Sequence, residues 1–188
     1  MYQRFLKRLI DTFCSVVILI TISPVLLFVA GVIFLQDRGP VFFVHKRIGV
    51  NGIPFNFFKF RSMPVNTPVV ESKDIQHIVV TPLGKFIRRT SIDELPQLFN
   101  ILAGDMSLVG PRPALPSQNR LTELRRNNGS LAVRPGLTGW AQVNSYDFMP
   151  EEIKAEFDGI YAKKISLLFD AKIVLRTLTY LTRKPPIY

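Results

Sequence analysis

A single cysteine stands in 188 residues, and one cysteine cannot close an intramolecular disulfide. Cys14 lies inside an apolar run, so nothing points to an oxidising compartment, and a cytoplasmic setting fits. The two histidines, His45 and His77, stand alone, which excludes the paired Cys/His spacings of zinc sites. There is no glycine-rich nucleotide fingerprint and no internal repeat. Acid is scarce too: 14 Asp+Glu face 24 Lys+Arg, for a net charge of +10 and an isoelectric point near 10.0. A chain this basic suits an anionic partner, a membrane surface first and nucleic acid second.

Apolar residues are abundant. The chain is 47% hydrophobic with a mean hydropathy of +0.21, and its length fits one domain plus a membrane element. From Cys14 to Leu35 run 22 residues without a charge, enough to cross a bilayer as one helix. A cleavable signal peptide is disfavoured, because its apolar core is shorter (~7–15 residues) and an A-x-A-like site should follow. Pro24 removes the N–H that would bond the Ile20 carbonyl, so a kink is expected at Ser23-Pro24, with the Ser23 hydroxyl near enough to serve that carbonyl. Arg4, Lys7 and Arg8 precede the run; Arg38, Lys46, Arg47, Lys59 and Arg61 follow it. Both flanks therefore prefer the cytoplasm, and a re-entrant helix over residues 1–38 satisfies this better than a straight crossing. Residues 39–188 are then a cytoplasmic, membrane-associated domain.

That domain reads as α/β of the α+β kind, compact and mostly helical with a short β-hairpin. Val41–Val44 and Pro54–Phe60 are aromatic and β-prone, with Gly49–Gly52 as the turn. Met63–Val80 reads as a loop. Helices are expected at Gly84–Arg89, Gln97–Ala103, Ser117–Asn127 and Pro150–Arg183, the last broken near Ser166. Its final part mixes leucines with Lys163, Lys164, Lys172, Arg176, Arg183 and Lys184, a basic amphipathic pattern that fits a membrane interface or the domain core.

The stretch "RRTSIDELPQLF" (Arg88–Phe99) poses the chemical question. Ser91 to Glu94 fits an S-x-x-E capping box, which would make Asp93 and Glu94 ordinary first-turn acids. Pro96 opposes that, since it would fall at the fifth helical position, where an N–H is needed. A helix starting at Asp93 or Glu94 places Pro96 in the first turn and the carboxylates at a helix mouth. Helix N-termini attract phosphate, and Arg88 and Arg89 add donors. A carboxylate among phosphate-binding groups can hold a divalent cation or attack phosphorus itself. The alternative is a purely structural ion pair. Arg112 in "GPRP" and Arg134 in "RPGLTGW" repeat the device of an arginine in a proline-stiffened loop, which shifts the balance toward an anionic ligand.

Together "KFRSM" (Lys59–Met63), "SIDELPQLFNIL" (Ser91–Leu102), "GDMSLVGPRP" (Gly104–Pro113) and "RPGLTGWAQVN" (Arg134–Asn144) resemble the bacterial sugar transferase family, in the family's order and over almost the whole chain. The match is to the small monotopic phosphoglycosyl transferases. The resemblance implies transfer of a sugar 1-phosphate from a UDP-sugar to polyprenyl (undecaprenyl) phosphate, giving a polyprenyl diphosphosugar and UMP. This would be the first membrane step of glycoconjugate synthesis, at the cytoplasmic face of the bacterial inner membrane. It implies Mg²⁺ as cofactor and an Asp-Glu dyad at Asp93 and Glu94, with Asp93 as nucleophile and metal contact. It implies phosphate binding by Lys59, Arg88 and Arg112, further site roles for Arg134 and Asp158, and the helix break at Ser23 and Pro24. Membrane lipids and downstream glycosyltransferases are the implied partners, and nucleic acid is not. His45-Lys46-Arg47 stands where relatives often have a glutamine and an arginine, which bears on the sugar rather than the reaction. The rival readings are a non-catalytic membrane-anchored module binding anionic lipid or nucleic acid, and a structural partner in a glycan-assembly complex.

Overall fold

Every third or fourth residue of the N-terminal segment, from Lys7 through Asp11, Ser15, Ile18, Ile22, Leu26 and Val29 to Ile33, falls on one stripe of a 3.6-residue period. In the computed structural model, which describes residues 2–65, 80–144 and 149–181, that stripe is the inner face of helix α1 (Lys7–Asp37). Its 31 residues amount to about 46 Å of helix at 1.5 Å per residue. The outer face leaves Phe13, Ile20, Leu27, Phe28 and Leu35 exposed. Lys7–Gln36 is long and apolar enough to cross a membrane, and its most apolar 18-residue stretch has a mean hydropathy of 2.9. The helix runs through Pro24 as one element, and the Ser23 hydroxyl donates to the Ile20 carbonyl at 2.9 Å, as expected from the sequence.

The foot of α1 is polar and buried. Lys7 donates to Asp170 at 2.6 Å, and the Tyr2 hydroxyl donates to the same carboxylate at 2.6 Å. Asp11 accepts from the Ser107 hydroxyl at 2.7 Å and from the Leu108 N–H at 3.2 Å, while Arg8 donates to the carbonyls of Ile101 and Leu102. Near the other end, Arg61 donates to the Ile33 carbonyl at 3.5 Å. The same domain therefore grips α1 at both ends.

After α1 comes the expected hairpin, with β1 (Phe42–Ile48) antiparallel to β2 (Pro54–Phe60), longer in its first strand than the aromatic run suggested. Its register sets Phe43 against Lys59, His45 against Phe57 and Arg47 against Phe55. Phe55 and Phe57 pack with Leu98, Ile101 and Met106 onto Ile18, Leu19 and Ile22 of α1. Phe60 joins Val29, Ile33 and Ile87.

Helix α2 (Pro82–Arg89) starts slightly before the expected Gly84, because Thr81 caps it by accepting from the Gly84 N–H at 2.9 Å and Pro82 suits the first turn. Helix α3 (Gln97–Ala103) has the expected bounds and ends on Gly104 at φ +96°. Two three-residue strands escape sequence reading, being too short to show alternation: β3 (Ser107–Val109) runs parallel to β4 (Gly136–Thr138). A Cβ on Gly136 would collide with the Gly110 backbone, so the two glycine-bearing motifs meet only as glycines. Helices α4 (Asn119–Asn127), α5 (Trp140–Val143), α6 (Glu151–Lys164) and α7 (Leu167–Leu181) complete the chain, with the expected break at Ile165-Ser166. Helix α7 divides its faces: Phe169, Asp170 and Ile173 point inward, and Leu168, Leu175 and Leu178 are exposed beside Lys172 and Arg176. Most of the Met63–Val80 loop, including His77, and the end of the expected last helix lie outside the described residues.

Candidate active site

The dyad does not cap a helix. Ser91 adopts a left-handed conformation (φ +56°) and makes no side-chain cap bond, so the capping box is absent. Ile92–Glu94 form a separate 3₁₀ turn, and α3 begins only at Gln97 with Pro96 in the cap position. The alternative start on Asp93 or Glu94, with the carboxylates at the helix mouth, is thus corrected in favour of Gln97. Pro96 has no N–H to bond back to Ile92, so the chain closes with i→i−3 bonds from Leu95 to Ile92 and from Leu98 to Leu95 before the α-helix sets in. The dyad therefore lies outside the N-terminus of α3, and the charges facing it are side-chain cations.

Those cations converge from three elements. Lys59, on β2, donates to Glu94 Oε1 at 2.7 Å and lies 3.8 Å from Asp93 Oδ2. Arg112 clasps Glu94 with both ends of its fork, at 2.6 and 3.3 Å. Its loop is stiff because Pro111 and Pro113 bracket it and the Pro111 carbonyl accepts the Gly136 N–H at 2.9 Å. Arg88 on α2 donates through Nε to the Ser62 hydroxyl at 2.8 Å. A Cβ on Gly84 would collide with the Ser62 carbonyl, which explains how α2 comes close enough for that bond. Asn100 links α3 to β2: its Nδ2 donates to the Asn56 carbonyl at 2.6 Å and its Oδ1 accepts the Phe58 N–H at 3.2 Å. That holds Lys59 in register with the dyad.

The two adjacent carboxylates are made unequal by this arrangement. Burial alone would raise Glu94, yet Arg112 and Lys59, by charge and by hydrogen bond, hold it well below the usual carboxylate range. Asp93 is only 7% exposed, and burial pushes it above its ordinary value, with Lys59 opposing and the Glu94 charge adding to the rise. Among the described residues no group donates a hydrogen bond to the Asp93 carboxylate. Glu94 is a fixed anion; Asp93 is a buried carboxylate free to bond elsewhere.

Of the residues singled out from sequence, Lys59, Asp93, Glu94 and Arg112 come together in direct contact, and Arg88 lies within electrostatic reach of Asp93. Arg134 and Asp158 are held elsewhere. Arg134 donates to the Gly104 carbonyl at 3.1 Å, and Asp158 is buried in an ion pair with Arg125 of α4 at 2.7 Å. Sequence reasoning passed over Ser62 and Asn100, and it noted His45 and Arg47 only as a departure bearing on the sugar, not as a bonded pair beside the dyad. Ser62 lies inside the quoted "KFRSM", but its link to Arg88 needs the packing of α2 to appear.

The donor set can be weighed against Mg²⁺. No group of three or more His, Cys, Asp or Glu suited to a metal occurs among the described residues. Mg²⁺ is commonly held by one or two carboxylates, with substrate phosphates and water filling the rest. Asp93, which accepts no hydrogen bond among the described residues, fits that role; Glu94, taken up by Lys59 and Arg112, does not.

A mostly helical domain docked on a helix long and apolar enough to cross a membrane, with cations converging on a largely buried carboxylate pair, defines the class. The family model described as Bacterial sugar transferase matches residues 2–184, and the chain belongs to that family. It is 42% identical over 185 residues to the UDP-glucose:undecaprenyl-phosphate glucose-1-phosphate transferase of Escherichia coli (strain K12), covering 94% of this chain and 40% of that protein. Identity is 40% over 183 residues to the UDP-N-acetylgalactosamine-undecaprenyl-phosphate N-acetylgalactosaminephosphotransferase of Aeromonas hydrophila, covering 93% of this chain and 43% of the relative. An uncharacterised sugar transferase of Bacillus subtilis (strain 168) is 40% identical over 176 residues, covering 92% of this chain and 85% of the relative. The chain thus spans less than half the length of the first two.

Proposed function

We propose that the protein transfers a sugar 1-phosphate from a UDP-sugar to polyprenyl phosphate, releasing UMP, by way of a covalent phosphosugar on Asp93. The observation that carries this reading is the inequality of the dyad: Lys59 and Arg112 occupy Glu94, while Asp93 beside it is buried and accepts no hydrogen bond from the described residues. The names of the relatives and the family membership support the substrate classes.

In the first half-reaction an Asp93 carboxylate oxygen attacks the sugar-bearing phosphorus. One P–O bond forms to Asp93, the P–O bond to UMP breaks, and UMP leaves with the electron pair. In the second, an oxygen of polyprenyl phosphate attacks the same phosphorus and Asp93 departs as carboxylate. Two displacements let a soluble nucleotide and a membrane lipid use one small site in turn. Arg88 and Arg112 offer donors for the phosphate oxygens, and Lys59 offsets the charge that builds at the dyad. Mg²⁺, held by Asp93 and the substrate diphosphate, would supply further charge neutralisation.

The site is proposed to work at the cytoplasmic face of the inner membrane, with α1 entering the bilayer and returning on one side. In support, the domain holds α1 at Lys7, Arg8 and Asp11 near one end and at Ile33 near the other. A helix crossing the ~30 Å hydrocarbon core alone could not keep such contacts along its length. The outward leucines of α7, flanked by Lys172 and Arg176, suit the headgroup layer. The reaction would begin glycoconjugate assembly. A panel of UDP-sugars offered with undecaprenyl phosphate should give UMP for at least one sugar; no UMP from any member counts against the reading.

A further inference from the structure

On one face of the hairpin Phe43, His45 and Arg47 stand opposite Lys59, Phe57 and Phe55. The Phe57 ring, only 1% exposed, has two cations near it: its centre lies 5.8 Å from Lys59 Nζ and 5.4 Å from the Arg47 guanidinium carbon. Lys59 continues from that ring to Glu94. Arg47 reaches no carboxylate within ion-pair distance among the described residues.

Instead the Arg47 fork is gripped by neutral acceptors. Its Nε donates to His45 Nε2 at 2.7 Å, and one terminal nitrogen donates to the Pro113 carbonyl at 3.2 Å, next to Arg112. The rest of the fork has no hydrogen-bond partner among the described residues. Burial and the neighbouring Arg112 charge push Arg47 down to about 10, with only Glu94 acting the other way. His45, itself packed on Phe43 and Phe57, is kept neutral, its pKa lowered to about 4 by burial and by Arg47, Lys59 and Arg112. It therefore stays an acceptor for Arg47. A half-buried guanidinium near another guanidinium, with no ion-pair partner among the described residues, is unfavourable until an anion arrives.

We infer that Arg47 is a further phosphate-binding residue of this site and that His45 is the positioning residue that aims its fork. The ligand chemistry is a multiply charged phosphate, supplied either by the nucleotide diphosphate or by the lipid phosphate. The choice between these two sources rests on the transfer reading above.

The full-length, membrane-reconstituted protein tests this with Arg47→Gln, Arg47→Lys, His45→Phe and His45→Gln. Arg47→Gln should raise one KM by about 10- to 100-fold, the loss of a charge-assisted bond. A rise confined to the UDP-sugar, matched by weaker inhibition by UDP, places Arg47 on the nucleotide diphosphate. A rise confined to polyprenyl phosphate places it on the lipid. Arg47→Lys should recover only part of the loss, because an ammonium cannot hold His45, Pro113 and phosphate together. His45→Gln, which keeps an acceptor, should stay near wild type, and His45→Phe should follow Arg47→Gln. A fall in kcat or in Tm with both KM values and UDP inhibition unchanged would mean that Arg47 only props the Pro113 loop, and would overturn the inference. Failure of the transfer reading would show separately, as a wild type that releases no UMP. Calorimetric binding of inorganic pyrophosphate then still judges Arg47: weaker binding by Arg47→Gln sustains the inference, and equal or absent binding in both proteins overturns it.

Discussion

Lys59 Nζ donates to Glu94 Oε1 at 2.7 Å, from a strand that the sequence places 35 residues earlier. The same ammonium is the cation that acts most strongly on Asp93, 3.8 Å away. Its charge is shared unequally, and that leaves one member of the dyad paired and the other available.

Altering either side of this contact should move the acid limb of the pH profile in opposite directions. Asp93 attacks only as a carboxylate, so activity falls as pH falls through its raised pKa. Lys59→Met removes an opposing cation, raises Asp93 further and shifts the limb to higher pH. Glu94→Gln removes a neighbouring anion and shifts it to lower pH. Glu94→Gln should also cost about 3 kcal/mol at neutral pH, by removing the anion that Lys59 and Arg112 share. The depressed Glu94 contributes stability above its ordinary pKa, which is lost as pH falls, so that deficit should narrow in acid. Steady-state pH profiles and thermal melts of both variants check these outcomes.

Asp93→Asn should abolish turnover, by about 10⁴-fold or more. It should nevertheless melt at a higher temperature than the wild type near neutrality. The Asp93 pKa is raised by burial, so stability is lost as pH climbs from the ordinary carboxylate range to the raised pKa, and the full penalty stands above it. The gap in Tm should therefore close as the pH is lowered. A variant less stable than wild type at neutral pH would contradict the assignment of burial as the dominant cause.

How much of this could be read in advance depended on how local the cause was. The hairpin, the bounds of α3, the break at Ser166 and the service of Ser23 to the Ile20 carbonyl are set within a few residues, and each follows from pattern or covalent chemistry. The carboxylates, by contrast, do not lie at the mouth of α3: Pro96 blocks an ordinary helix, but the left-handed Ser91 and the intervening 3₁₀ turn leave no such mark in composition. Asp11 on Ser107, Asn100 on β2, Arg125 on Asp158 and Arg47 on Pro113 join residues far apart in the chain. No periodicity reports them. The β3 and β4 pairing is hidden for the same reason, compounded by strands of three residues.

Asp158 gives a contrast to the dyad. Burial raises its pKa against the pull of Arg125, which donates to it at 2.9 and 2.7 Å between α4 and α6. Asp158→Ala should cost about 3–5 kcal/mol by stranding the buried Arg125. Replacing both partners with leucine should recover much of that. Activity per folded molecule in the double variant, measured by UMP release beside a chemical-denaturation curve, should stay near wild type. A selective loss of kcat would instead place Asp158 in the chemistry.

Topology is read by single cysteines at Gln3 and Arg38, both exposed, in a Cys14→Ser background. An impermeant thiol reagent should label both from the cytoplasmic side only. Labelling from opposite sides would make α1 a true span.

The most direct measurement is mass analysis of the protein after incubation with a UDP-sugar and no lipid acceptor. The account expects a mass increase of one sugar phosphate, located on Asp93 by peptide mapping, absent from Asp93→Asn and discharged when polyprenyl phosphate is added. UMP release and lipid product formation with no adduct on Asp93 under any quench would contradict it, pointing to direct transfer between the two substrates.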